Sequence, residues 1–196
     1  MPKTVTILGA SGTIGENTLK VIRNHRNKFA ITALTAGNNF ELLAAQAKEF
    51  QPQMVAISNE AHYAELKNLL SGSNIKIAAG ESGILEAASM NVDITMSAIV
   101  GAAGLKPTLA AIKNGKTIAL ANKECLACAG ELMQREIAKY SAKLIPVDSE
   151  HSGIFQILPS TPAIEKITIT ASGGPFREFS YEQMANVTPA QAIKHP

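Results

Sequence analysis

The sequence predicts a doubly wound α/β fold with a mostly parallel sheet, followed from residue 148 by the beginning of an α+β domain. Three observations predict it. Short β-branched runs alternate with longer segments whose apolar residues recur at helical spacing. The runs read as strands buried on both faces, as strands of a parallel sheet are. Each step from one strand to the next contains a helix-length segment, which implies right-handed βαβ crossovers.

The elements follow in order. TVTIL (4–8) is the first strand and TIGENTLKVIRNH the first helix. FAITALTA (29–36) and MVAIS (54–58) are strands separated by the helix FELLAAQAKEF. AHYAELKNLL is a helix before the strand IKIAA (75–79), and GILEAAS a helix before VDITMSAIV (92–100). LKPTLAAIKNG leads to the strand KTIALA (116–121), and ECLACAGELMQREIAKYS to the strand KLIPV (143–147). The rhythm then changes. KITITA (166–171) reads as one more strand, SGGPFRE as a turn-rich loop, and short helical pieces fill 180–195. The boundary is placed at 147, and the second domain is expected to be incomplete.

The 196 residues, 46% hydrophobic and 17% charged, describe an ordinary globular chain. At this length roughly 70% of the unfolded surface is buried on folding, so no disulfide staples are needed. A net charge of +2 with scattered lysines argues against a nucleic-acid binder, while a small anionic ligand stays open. No segment is long and apolar enough to cross a membrane. The N-terminus enters a strand at once and leaves no room for a leader, and two cysteines make no framework, so the cytoplasm is expected.

Gly9-Ala10-Ser11-Gly12-Thr13-Ile14-Gly15 lies between the first strand and the first helix. Such glycines permit a tight turn, close approach of a pyrophosphate and close helix–strand packing, with helix N–H groups facing the anion. The spacing is GxxGxxG rather than GxGxxG, and the position opening a βαβαβ series gives it its weight. It points to a Rossmann-like dinucleotide domain over 1–147. The second strand ends in Thr35-Ala36-Gly37-Asn38-Asn39, with no acid to hold a ribose 2′-hydroxyl. The two amides can donate to a 2′-phosphate, which favours NADP, although no Arg or Lys stands in the loop.

The sixth strand ends in Ala121-Asn122-Lys123-Glu124-Cys125, where open α/β sheets bind ligands. Lys123 and Glu124 there can reach a phosphorylated substrate and a cofactor, or merely solvate a helix start. Cys125 and Cys128 form a CxxC, for which small core residues are a better reading than a redox or zinc site. After the seventh strand stands Asp148-Ser149-Glu150-His151. If the backbone stays extended, both carboxylates point to one side. At about 4 Å they would repel by roughly 1 kcal/mol in water and roughly 4 near a protein surface. A divalent cation would offset this, and a solvated or helix-capping loop is the alternative. His25 and His62 are expected to lie solvated on helix surfaces.

GASGTIG, AIVGAAGL (98–105), ANKE, PVDSEH and SGGPFRE (172–178), in this order, closely resemble 1-deoxy-D-xylulose 5-phosphate reductoisomerases. The resemblance runs from residue 4 to 196. It implies rearrangement of 1-deoxy-D-xylulose 5-phosphate and reduction by NADPH to 2-C-methyl-D-erythritol 4-phosphate, for isoprenoid synthesis. By the same resemblance Gly9, Ser11, Gly12, Thr13 and Ile14 hold the pyrophosphate, and Gly37, Asn38 and Asn39 the ribose phosphate. Asn122 and Glu124 lie near the nicotinamide half. Lys123 touches substrate and, with Asp148 and Glu150, forms the catalytic set. Asp148 and Glu150 bind Mg²⁺ or Mn²⁺, with Ser149 and Glu150 also contacting substrate. Ser172 binds the substrate phosphate, to which SGGPF can offer backbone N–H groups, and His195 covers the substrate. His151 is given no chemistry.

The family commonly has Ser at the place of Cys125 and Asn-Ala at the place of Ser152-Gly153, which implies local packing differences only. Family members continue with a mobile flap, further phosphate ligands, a third metal carboxylate and a helical domain, and are homodimers. The 196 residues alone are therefore expected to bind nucleotide without turning over substrate. Two other readings compete: an NADP-dependent semialdehyde dehydrogenase with Cys125 or Cys128 as nucleophile, and a non-catalytic NADP-sensing module.

Overall fold

The computed structural model describes residues 1–158, 164–169 and 173–194. The chain divides into two compact units, Met1–Gln156 and Ile157–Pro196.

The first unit holds seven strands: β1 (Lys3–Leu8), β2 (Phe29–Ala36), β3 (Met54–Ile57), β4 (Lys76–Ala79), β5 (Ile94–Ser97), β6 (Thr117–Leu120) and β7 (Lys143–Pro146). All pair in parallel, in the order β4-β3-β2-β1-β5-β6-β7. Winding therefore runs outward from β1 to β4, then crosses back to β5 and runs outward again. The switch point lies between β1 and β5, where Leu8 is in register with Ser97 and sets Gly9 beside Ala98. Helices α1 (Thr13–Arg23), α2 (Phe40–Phe50), α3 (Tyr63–Leu69), α4 (Gly80–Ala88), α5 (Leu105–Ile112) and α6 (Glu124–Tyr140) connect the strands.

The period of two along β3 shows how both faces are covered. Val55 and Ile57 join Leu19, Ile22, Leu43 and Leu66 from α1, α2 and α3 in one core. Met54 and Ala56 face the other way and pack with Ile84 and Ala87 of α4. A third cluster joins Ile118 and Leu120 of β6 to Ile112 of α5 and to Cys125 and Met133 of α6. Cys125 is thus a small core residue, whereas Cys128 is exposed, and both are free thiols.

Several boundaries differ from the sequence expectation, each for a local reason. The run 92–100 contributes only Ile94–Ser97 to the sheet; Ala98–Val100 leave it at the switch point. Beyond β7 the backbone does not stay extended. It turns into α7 (Ser149–Ile157), because Asp148 accepts a hydrogen bond from the His151 N–H at 3.0 Å and so satisfies an otherwise orphaned helix donor. The two compact units divide after Gln156, within α7. His62 is half-buried, not solvated: its ring stacks on Phe40 at 4.9 Å.

In the second unit residues 166–169 form no strand, and 170–171 of the expected strand lie outside the described residues. β-propensity expresses fit to a pleated, partnered surface, and Lys166–Ile169 are exposed without strand pairing among the described residues. Two one-turn helices, α8 (Tyr181–Met184) and α9 (Pro189–Ala192), open on capping boxes at Ser180 and Thr188.

Candidate functional site

The glycine loop is fixed from below by the second βα unit. Gly9 N–H donates to Thr35 Oγ1 at 3.0 Å, and Ala10 N–H donates to the Thr35 carbonyl at 2.7 Å. Gln46 of α2, buried, donates from Nε2 to the Ala10 carbonyl at 3.0 Å. Gly12 N–H turns back to the Gly9 carbonyl at 3.2 Å. Three of the loop's donors are thereby spent inside the protein. Helix α1 has no side-chain cap. Its first intrahelical donor is Glu16, so the N–H groups of the exposed Thr13 and Ile14, like that of Ser11, have no partner among the described residues. An anion at this turn meets those donors and the positive end of α1.

The turn opens onto a cleft of about 700 Å³, within the range that accommodates small ligands. Gly9 and Gly12, Ala36 and Gly37, Ser58, and Ala98, Ile99 and Val100 are among the residues that line it. Asn38 and Asn39 follow Gly37 on the exposed rim. Asn39 caps α2 by accepting from Leu42 N–H at 3.0 Å, and Asn38 Oδ1 accepts from Asn59 Nδ2 at 3.0 Å. The acidic side chain on the cleft, Glu81, is paired with Lys106 at 2.7 Å.

Asn122 sits behind the 99–101 segment. It is 3% exposed, and its Nδ2 donates to the Ile99 carbonyl and, at 2.9 Å, to the Gly101 carbonyl. Its Oδ1 accepts from Cys125 N–H at 3.2 Å. The side chain therefore shapes the 99–101 segment from within. Glu124 opens α6 on the surface, where the helix N-terminus favours a carboxylate.

Lys123, Ser149 and Glu150 come together beyond the ends of β6 and β7. Lys123 Nζ donates to Glu150 Oε2 at 3.1 Å. That bond, together with hydrogen bonds from the Glu150 backbone N–H and the Ser149 hydroxyl, holds the Glu150 carboxyl down at about 2, and the Glu150 carboxylate raises the Lys123 ammonium. Asp148 spends Oδ1 on the His151 N–H and, at 2.7 Å, on His151 Nδ1. Its other oxygen has no hydrogen bond among the described residues. Two carboxylates and a hydroxyl suit Mg²⁺, which commonly binds through one or two carboxylates and completes its shell with water and substrate oxygens. Among the described residues no group of three His, Cys, Asp or Glu side chains is placed to hold a metal. Ser172 and His195 lie outside the described residues.

Because the folded carboxyl of Glu150 is depressed from 4.5, the bond to Lys123 contributes above that ordinary value and is lost as pH falls toward about 2. In Lys123→Met the Glu150 carboxyl resonance, followed by ¹³C NMR, is expected to titrate closer to 4.5. A titration unchanged from the parent chain would show that Lys123 does not hold it.

Gln46 and Asn59 were not singled out from sequence, and Thr35 and the 98–100 wall were quoted there without a role of their own. A signal existed for Gln46, a polar residue in step with the buried stripe Leu43, Ala44 and Ala47. Burial pushes the Cys125 thiol up, with a hydrogen bond to Thr108 opposing it, which is unfavourable for a thiolate nucleophile.

A seven-stranded parallel sheet with a glycine turn at its switch point places the chain in the Rossmann-like class, whose members bind dinucleotides at this edge. Residues 5–130 match the family model of 1-deoxy-D-xylulose 5-phosphate reductoisomerase, and residues 144–196 match that of its C-terminal domain. The chain belongs to the 1-deoxy-D-xylulose 5-phosphate reductoisomerase family. It is 47% identical over 196 residues to the reductoisomerase of Rhodospirillum centenum, covering 99% of this chain and 49% of the relative. It is 53% identical over 196 residues to that of Rhizobium rhizogenes, covering 98% and 49%. The solved reductoisomerase from Zymomonas mobilis in complex with NADPH superposes with a TM-score of 0.96 at 48% identity, covering 100% of this chain and 52% of that one. A reductoisomerase in complex with NADPH, fosmidomycin and magnesium gives 0.90 at 41%, covering 99% and 51%. The chain spans about half the length of the curated relatives it matches.

Proposed function

We propose that this protein is a 1-deoxy-D-xylulose 5-phosphate reductoisomerase. It would convert that phosphorylated sugar to 2-C-methyl-D-erythritol 4-phosphate with NADPH and Mg²⁺ or Mn²⁺, in isoprenoid precursor synthesis. Residues 1–147 serve as the NADPH domain and 148–196 as the start of the catalytic domain. The family resemblance extends the proposal to a cytoplasmic homodimer; no helix among the described residues is long and apolar enough to cross a membrane.

The observation that carries the reading is the gathering of three groups at one edge of the sheet. The open α1 turn follows β1, Lys123 follows β6 and the Asp148–Glu150 turn follows β7. The relatives solved with NADPH and magnesium support the same cofactors here. Ser11, Thr13 and Ile14 donate backbone N–H groups to the pyrophosphate, while Gly9 and Gly12 let it approach. Asp148 and Glu150 hold the divalent ion, which supplies polarisation of the substrate carbonyl when bound. Lys123 and Ser149, on either side of Glu150, orient substrate oxygens, and Ser172 and His195 complete the assignment on the phosphate and over the substrate. Asn122 and Glu124 position the nicotinamide end, Asn122 through the 99–101 segment that it holds.

The test is NADPH oxidation by the protein isolated from its own cells. Oxidation should require both 1-deoxy-D-xylulose 5-phosphate and a divalent metal, and should yield 2-C-methyl-D-erythritol 4-phosphate. Oxidation that survives chelation of the metal would contradict the proposal, as would oxidation blocked by thiol alkylation with the metal requirement absent.

A further inference from the structure

The two rim asparagines form part of a chain of hydrogen bonds whose direction is set by backbone N–H groups. Ala61 N–H donates to Asn59 Oδ1 at 3.1 Å, so the other end of the Asn59 amide must be its NH₂. That NH₂ donates to Asn38 Oδ1 at 3.0 Å. Asn38 is thereby held with its carbonyl oxygen turned to Asn59 and its own NH₂ left without a partner among the described residues. Asn39 reaches the same polarity independently, since Leu42 N–H consumes its Oδ1. The rim carries two unspent amide donors. Both asparagines are exposed, so these donors are open to a ligand.

The supporting turn is itself fixed. Asn59 N–H donates to the Gly37 carbonyl at 3.0 Å and Ser58 N–H to the Ala36 carbonyl at 2.8 Å, which join the end of β3 to the rim. Gly37 and Ser58 both line the cleft, and Asn38 and Asn59 are the residues that follow them.

We infer that Asn59 is a specificity-determining, positioning residue: by fixing the sense of the Asn38 amide it makes the rim a donor surface suited to the 2′-phosphate of NADPH. The inference rests on the proposed NADPH reading of the cleft. An ordinary Asn can present either end of its amide to a ligand. Here the end presented is decided one residue away, without a cationic side chain in the 37–39 loop.

Asn59→Asp tests this with little change of shape. The aspartate keeps the acceptor for Ala61 N–H but offers Asn38 a second acceptor in place of a donor. The Asn38 amide must then reverse, turning its oxygen toward the ligand. In a fluorescence titration of the chain, Asn59→Asp is expected to weaken NADPH about tenfold or more, the worth of a hydrogen bond to a charged group, with NADH binding essentially unchanged. Asn59→Ser keeps a side-chain acceptor for the Ala61 N–H without adding charge and releases Asn38; it should weaken NADPH less. In an Asn38→Ala background Asn59→Ser should have no further effect, which a merely structural role for Asn59 would not produce.

An NADPH-to-NADH affinity ratio unchanged in folded Asn59→Asp would overturn the inference while leaving the cofactor reading standing. So would an Asn59→Ser effect of equal size with and without Asn38. If Asn59→Asp does not fold, the Asn59→Ser cycle decides alone. A parent chain with no preference for NADPH would instead overturn the cofactor reading, and this inference with it.

Discussion

Gly9→Ala is expected to remove nucleotide binding and to destabilise the chain, whereas Gly12→Ala should leave stability nearly untouched. Gly9 has φ +90°, a region that side-chain-bearing residues rarely adopt. A Cβ built there would lie 2.8 Å from the Ala98 carbonyl oxygen and 2.9 Å from its carbon. Both are backbone atoms of the neighbouring strand end and have no rotamer to escape into. Strain and overpacking of this kind each cost roughly 1–3 kcal/mol. At Gly12 the nearest atom would be 3.5 Å away, an ordinary contact, so a shift within about 0.5 kcal/mol is expected there. Thermal denaturation beside a nucleotide titration separates the two. Gly9→Ala should fail in both, with at least about 100-fold weaker NADPH binding if roughly 3 kcal/mol of loop geometry is lost. Equal thermal stability of Gly9→Ala and the parent would show that the loop does not have the conformation described.

Asp148→Asn is expected to weaken divalent metal binding about 100-fold while leaving the fold intact. Asparagine caps a helix as well as aspartate does, so the His151 N–H keeps its acceptor. What is lost is the negative charge. Outer-shell residues alone are worth 10- to 100-fold in metal affinity, and a direct ligand should reach at least the top of that range. Mn²⁺ binding measured by electron paramagnetic resonance, with thermal denaturation beside it, decides between the two roles open to this side chain. Unchanged Mn²⁺ affinity with unchanged stability would leave Asp148 a helix cap and nothing more.

Much of the fold was legible because its strands and helices follow different periods. β2 and α2 have the bounds expected of them, and the alternation of β-branched runs with amphipathic ones dictated a parallel sheet. What the pattern could not show was where an apolar run leaves the sheet. Ala98–Val100 read as strand because the cleft wall is as apolar as the core. At Asp148 the sequence left an extended strand end and a helix-capping loop both open, because the same residue serves either, and the geometry at His151 selects the cap. KITITA has strand composition without a strand partner among the described residues.

The site divides in the same way. Glycines and charged residues carry signatures at fixed spacing, so Gly9, Gly12, Lys123, Asp148 and Glu150 could be named as candidates from local pattern. The placements of Gln46, Asn59 and the Asn122 side chain depend on contacts 36, 21 and 23 residues away in sequence. Local pattern does not reach so far.

The most direct measurement is a fluorescence titration of this chain with NADPH beside NADH. An open α1 turn and a rim of amide donors free of carboxylate predict saturation by NADPH, with NADH binding at least about tenfold weaker, the worth of a hydrogen bond to a charged phosphate. Equal or tighter binding of NADH, or no binding of either by a sample shown to be folded, would contradict the account.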